Sequence, residues 1–215
     1  MRQNSFDGYV WILLAALLWS LLGVVSKFCQ HAGVLPIETA FWRAAIGCIF
    51  FLAHAGLTGG LRIPLRHALI FVLFGAWGVG VFFGAMQMAI KLSGGATAVV
   101  LLYTAPVWVA VFSRFLFGEH ITRRKALAVL IALSGTALVC FSGGSLPGET
   151  SLAGIGFGLL SGLCYATHYP FYRWWQRRYS TASIYGFMLL GGVVALGFSG
   201  PVHADHTPDT WGWLF

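Results

Sequence analysis

Charge is what this sequence has least of. Asp and Glu number 6 and Lys and Arg 13 in 215 residues, so 9% of the side chains are charged, against about 25% in an ordinary water-soluble domain. Cysteine is scarce and unpaired in spacing: Cys29, Cys48, Cys140 and Cys164 lie in or at the ends of apolar runs. That pattern excludes a disulfide framework and leaves them as small buried apolar residues. No Walker-type phosphate loop occurs, and Gly78-Val79-Gly80 sits in a long apolar run with no soluble strand before it, which sets dinucleotide binding aside. The first thirty residues carry no small-x-small cleavage site, and their apolar run is too long for a secretory signal.

What fills the chain is apolar surface, 58% of all residues. Charged residues cut it into seven stretches free of Asp, Glu, Lys and Arg: 8–26, 44–61, 68–90, 92–113, 126–148, 150–172 and 179–204. A helix rises about 1.5 Å per residue and the hydrocarbon core is about 30 Å thick, so a crossing takes roughly 20 residues. Backbone amides find no water in lipid, and continuous apolarity without strict alternation selects helices over a barrel. Transmembrane helices are therefore predicted at 9–29, 36–57, 67–90, 94–117, 124–142, 151–173 and 182–202. Pro36 opens the second, while Gly94-Gly95, Gly143-Gly144 and Pro147-Gly148 mark breaks.

The net charge of +7 does not point to nucleic acid, because the bases form no soluble patch with interleaved aromatics. With the N-terminus inside, Arg2, Arg62, Arg66, Arg114, Arg123, Arg124, Lys125, Arg173, Arg177 and Arg178 fall on one side, and only Lys27 and Lys91 on the other. The positive-inside rule then predicts a cytoplasmic N-terminus in a multi-pass plasma membrane protein, the bacterial inner membrane.

Shifting the chain by 146 residues superposes Gly8 on Gly154, Leu17 on Leu163, Gln30 on Gln176 and Phe41 on Phe187, with Trp19 meeting Tyr165 and Lys27 meeting Arg173. The offset implies a five-helix unit. Five crossings leave the chain on the opposite face, so the second copy is inverted, a construction seen in secondary transporters. The units are 1–145 (helices one to five) and 151–215 (helices six, seven and the start of an eighth near Trp211). Ending on Trp-Gly-Trp-Leu-Phe reads as a truncation inside a helix, and the complete form is expected to have ten.

The run Ser93-Gly94-Gly95-Ala96-Thr97 through Ala105-Pro106-Val107-Trp108, then Phe117-Gly118-Glu119-His120-Ile121-Thr122 and on to Gly135, resembles the EamA-type transporters of the drug/metabolite transporter superfamily. Leu17-Leu18-Trp19-Ser20 and Phe41-Trp42-Arg43 are similar to that family's first two helices. The resemblance implies an all-α integral membrane protein of two inverted five-helix repeats with both ends cytoplasmic, exporting small metabolites or amino acids.

Candidate residues follow from chemistry that is costly in lipid. Arg43 is the one full charge well inside a predicted span, so it either faces a substrate path or snorkels outward to pair with Glu38. Pro106 falls mid-helix, removes a hydrogen bond and frees the carbonyl near Leu102, making Tyr103 and Thr104 candidate cavity-lining residues. Trp19 and Tyr165 hold matching repeat positions away from the interfacial belts, and either line a pocket or fill a helix interface. His168 is a candidate proton carrier or a hydrogen-bonded helix histidine. Glu119, with Arg123, Arg124 and Lys125 close in sequence, forms a structural or gating ion pair at the cytoplasmic mouth. His203, Asp205 and His206 look like metal ligands but read as a solvated loop, so no metal and no cofactor is implied.

These features predict a secondary transporter moving a small polar or amphipathic metabolite outward by alternating access, with a small-molecule substrate and the bilayer as partners and proton coupling left open. An intramembrane enzyme would need paired acids, a nucleophile with its base, or metal ligands at matching depth, and no such set is present. The alternative is a membrane scaffold or a homo-oligomer joined through the small-xxx-small pairs Gly80/Gly84, Gly154/Gly158 and Gly158/Gly162. A polar vestibule reaching mid-membrane separates transport from a dry scaffold.

Overall fold

The computed structural model describes residues 5–120, 122–141 and 151–200. Among these residues the ordered elements are helices: α1 Ser5–Ser20, α2 Leu22–His31, α3 Pro36–Leu57, α4 Leu65–Gly75, a π turn at Ala76–Val81, α5 Phe82–Leu102, α6 Ala105–Phe117, α7 Arg123–Phe141, α8 Leu152–Trp175 and α9 Thr181–Ser199. The protein is an all-α membrane protein. Four stretches are long and apolar enough to cross a bilayer, Gly8–His31, Pro36–Leu57, Leu65–Leu102 and Thr181–Ser199.

The helical run Leu65–Leu102 covers 38 residues, which at about 1.5 Å per residue is nearly twice a hydrocarbon core. It does not cross as one rod. Gly94 adopts φ 78°, ψ 158° inside it, a region open in practice only to glycine, and the helix breaks there. The third and fourth predicted crossings are thus separated at the expected glycine. The fourth, predicted as one helix over 94–117, is itself two pieces, because the chain turns at Tyr103–Thr104 before Pro106 starts α6. Pro106 has no amide proton for the Leu102 carbonyl. The Thr104 hydroxyl and amide both turn back to the Leu101 carbonyl, at 2.7 and 3.1 Å.

At the start of α3, Pro36 occupies the first turn and the Glu38 carboxylate accepts the Leu35 amide at 3.4 Å. The main core lies where α9 packs on α3, α4 and the π turn, with Phe71, Ile184, Met188 and Leu196 fully buried. Helices α4 and α9 touch backbone to backbone: a Cβ on Gly75 would collide with the Met188 carbonyl, and one on Gly191 with the Val72 carbonyl. A second core joins α5 to α8 through Met86, Ala89, Ala98, Leu102 and Cys164. There Gly154, Gly158 and Gly162 form a bare stripe on α8 against Ser93, Leu101 and Thr104 of the facing chain. The small-xxx-small face expected from sequence is therefore consumed inside the chain. By contrast α1 leaves Ile12, Leu13 and Leu17 exposed, as a lipid-facing helix would.

The cysteines at 29, 48 and 164 are buried thiols. Residues 203–206 and the expected start of an eighth helix near Trp211 lie outside the described residues.

Candidate functional site

Four elements converge beside the break in the fourth crossing: the end of α1, the middle of α5, the Tyr103–Thr104 turn and the middle of α8. They enclose a cavity of about 600 Å3 lined by Trp19, Ser20, Met86, Tyr103, Pro106 and Tyr165. Trp19 meets Tyr165 edge to face, ring centroids 5.8 Å apart, the arrangement favoured by aromatic quadrupoles. Trp19, Tyr165, the tyrosine at the proline break and the proline itself thus share one wall.

Tyr165 is also the wall of a second cavity, of about 650 Å3, whose lining includes His168, Tyr172, Arg173, Gln176 and Tyr185. The two differ in chemistry. The first is aromatic and aliphatic, whereas the second carries tyrosine hydroxyls, an amide and two arginines, Arg173 and Arg177, with no carboxylate in its lining.

His168 is buried among rings, with Phe74 at 5.6 Å, Tyr165 at 5.8 Å and Tyr172 at 6.4 Å between centroids. Its Nδ1 lies 3.1 Å from the Tyr165 carbonyl and 3.3 Å from that of Cys164. Both partners only accept, so Nδ1 carries the hydrogen and donates.

Not every candidate reaches a cavity. Thr104 spends its hydroxyl on the Leu101 carbonyl and packs against Gly162. Arg43 lines neither cavity; its guanidinium carbon lies 4.5 Å from the centroid of the Phe83 ring, a cation–π contact. Glu119 pairs across the bundle with Arg173 of α8, while Arg123 and Arg124 stand exposed at the start of α7. The same Arg173 Nη1 donates to the Tyr169 hydroxyl at 3.2 Å, and the guanidinium sits 4.0 Å over the Phe117 ring. A smaller cavity of about 300 Å3 runs from Pro106 to Glu119 along Tyr169.

Sequence reading missed Tyr169, Tyr172, Arg173 and Gln176. A signal existed: Tyr165, His168, Tyr169, Tyr172, Arg173 and Gln176 follow i, i+3, i+4, i+7, i+8, i+11, one helix face. At the opposite end of the bundle, Lys27 and Lys91 line a separate cavity of about 550 Å3 beside Gly94. Among the described residues no group of three His, Cys, Asp or Glu could hold a metal.

The sequence pattern of the EamA-like transporter family matches residues 7–141, well over half of the chain. The chain belongs to the EamA-like transporter family. The EamA match takes in Trp19, Arg43, Tyr103, Pro106 and Glu119 and stops short of α8. Similar curated proteins include the uncharacterized transporter YdfC of Bacillus subtilis (strain 168), 27% identical over 76% of this chain and 53% of that one. An uncharacterized transporter of Archaeoglobus fulgidus is 30% identical over 86% of this chain and 63% of its own length. A riboflavin transporter of Rhizobium johnstonii is 26% identical over 64% of this chain and 45% of its own. The chain thus spans roughly half to under two thirds of the curated relatives it matches. A crystal structure 21% identical to it superposes with a TM-score of 0.67 over 92% of this chain and 69% of the other, which shows a shared fold.

Proposed function

We propose that this EamA-family chain carries a small amphipathic solute across the plasma membrane by alternating access, along a path through the two cavities that meet at Tyr165. The observation that carries the reading is the convergence of Trp19, Tyr103, Pro106 and Tyr165 on one 600 Å3 cavity that is continued, past Tyr165, by a polar one. Freed backbone survives in a membrane where it is buried or lines a cavity, and the proline break borders this one. A dry scaffold would have neither cavity, and its small-residue faces would be free for other helices, whereas here α3, α5, α9 and the Tyr103–Thr104 turn fill them.

In this reading the N-terminus is cytoplasmic, residues 1–145 and 151–215 belong to two inverted repeats, and transport runs outward. The repeat register then sets Lys27 and Arg173 as equivalents, one cation lining a cavity at each mouth of the bundle. An aromatic lining suits a solute with a flat apolar part; riboflavin, in the name of one relative, is such a solute.

Untargeted profiling of metabolites inside and outside cells, with and without the protein, tests this. The expected result is one or a few solutes displaced outward by the wild type and not by Tyr165→Ala. Leu13→Ala, on the exposed face of α1, should behave as wild type. Equal activity of Tyr165→Ala and Trp19→Ala with wild type would overturn the path.

A further inference from the structure

The polar cavity has a one-sided charge. Its charged lining is Arg173 and Arg177, flanking Gln176, and among its lining residues no Asp or Glu balances them. A cavity walled by helices and holding cations of one sign concentrates anions. Among the described residues the carboxylate bonded to this cluster is Glu119, which reaches Arg173 from α6's end and belongs to the neighbouring 300 Å3 cavity.

Arg173 is not saturated by that contact. Both of its hydrogen bonds among the described residues, to Glu119 and to Tyr169, leave from Nη1. A guanidinium has five N–H groups in a planar fork, so Nη2 and Nε still have three to give, in the geometry that suits a bidentate oxyanion. Beside it, the buried Tyr172 hydroxyl faces Tyr185, whose ring stacks on its own at 5.4 Å. It lines the same cavity. A tyrosine hydroxyl both donates and accepts, so this pair can offer a proton to an acceptor entering the cavity. The ion pair itself is cheap to break, because both side chains are about one third exposed, at 37% and 31%, and exposed pairs contribute little.

We propose that this cavity recognises an oxyanion, a carboxylate or phosphate carried on an aromatic body, and that the oxyanion displaces Glu119 from Arg173. The aromatic body lies along Tyr165 toward Trp19, and the anion is held by Arg173, with Tyr172, Gln176 and Arg177 around it. Glu119 then acts as an internal stand-in that keeps Arg173 in place, between α6 and α8, until the solute arrives. The proposal rests on the reading of these cavities as the solute path and adds to it the charge of the solute.

The test is calorimetric binding of phenylacetate, phenyl phosphate and uncharged phenylacetamide to the protein in phosphatidylcholine nanodiscs. Both anions should bind, and the amide at least tenfold more weakly. Arg173→Gln should lose at least tenfold for the anions only, and Arg173→Lys should fall between the two. Glu119→Gln should tighten anion binding three- to tenfold, since it removes the competitor; a merely structural ion pair would weaken it or leave it unchanged. Arg123→Gln, with equal charge loss outside the cavity, should bind as wild type. Thermal unfolding of each variant confirms that a loss is not misfolding. Amide binding as tight as phenylacetate, no tightening by Glu119→Gln, or no binding of either anion would each overturn the proposal. Loss of phenylacetate binding in phosphatidylglycerol nanodiscs would assign the site to a lipid headgroup and overturn the solute reading. If anion preference holds while Trp19→Ala and Tyr165→Ala leave transport intact, the path reading fails and the anion site stands.

Discussion

The two halves of α8 are built on opposite plans. From Leu152 to Gly162 the helix presents a bare glycine stripe, and Ser93, Leu101 and Thr104 press onto it closely enough that a methyl group at Gly158 would lie 2.6 Å from a Leu101 methyl. From Tyr165 to Gln176 the same helix presents tyrosine, histidine, arginine and glutamine to two cavities of about 600 and 650 Å3. Pro170 falls in this second half, without the amide proton that would close a helical bond to Ala166. The first half fixes where the helix stands, and the second exposes groups that lipid alone would not tolerate. This division explains why α8, at 24 residues, is long enough to span but does not reach the apolarity of the four clearly membrane-length stretches. Its polar stripe is affordable in lipid only where it faces protein or a cavity.

The sharpest way to break this comparison is to give the dry half a side chain. Gly158→Leu should cost about 3 kcal/mol or prevent assembly, because Leu101 and the backbone behind it cannot retreat. Gly156→Leu, two residues away with nothing within 4 Å of its Cβ, should be neutral or stabilise by up to about 1 kcal/mol through helix propensity. Thermal unfolding in one detergent measures both, and equal losses would mean that the stripe is not the contact surface.

The junction between the halves should respond differently. Tyr165→Ala removes the ring shared by both cavities and the edge contact to Trp19. It should lower transport about tenfold, a loss of about 1.4 kcal/mol in transition-state terms, with little change in melting temperature. A melting loss as large as that of Gly158→Leu would place Tyr165 in the packing class instead.

The fold was legible where the chain punctuates itself. Charge-free runs make up most of the four membrane-length stretches, Gly94 and Pro106 announce breaks that need no tertiary information, and Trp19 and Tyr165, singled out for their depth, meet at 5.8 Å. The π turn at Ala76–Val81 was not legible, since nothing in its sequence marks it, and its Gly80 meets Ala195 and Gly192 of α9, a contact between helices. The Glu119 partner was missed for the same reason. Three basic residues close by in sequence drew attention, while Arg173, 54 positions away, comes alongside only because the glycine stripe sets α8 against its neighbours. Arg43 was singled out for the cost of a charge in lipid; its cation–π contact with Phe83 depends on helix rotation, which composition does not encode.

The smallest expected effect concerns His168, the histidine of the open half. Its Nδ1 proton is committed to the carbonyls of Tyr165 and Cys164, and its ring lies edge to face with Phe74 and Phe82 and parallel to Tyr172. The charged groups lining the same cavity are Arg173 and Arg177, and no carboxylate lines it. A proton carried on this ring would travel without a counter-charge, whereas proton relays in membranes run along chains that include acids. His168→Gln preserves a donor for the helix carbonyls and much of the volume, so it should cost under about 1 kcal/mol in stability. Transport in vesicles should keep its dependence on an imposed pH gradient, or its independence of one. If that dependence disappears in His168→Gln while binding persists, the open half of α8 carries protons as well as solute, and the contrast between its two halves becomes one between anchoring and energy coupling.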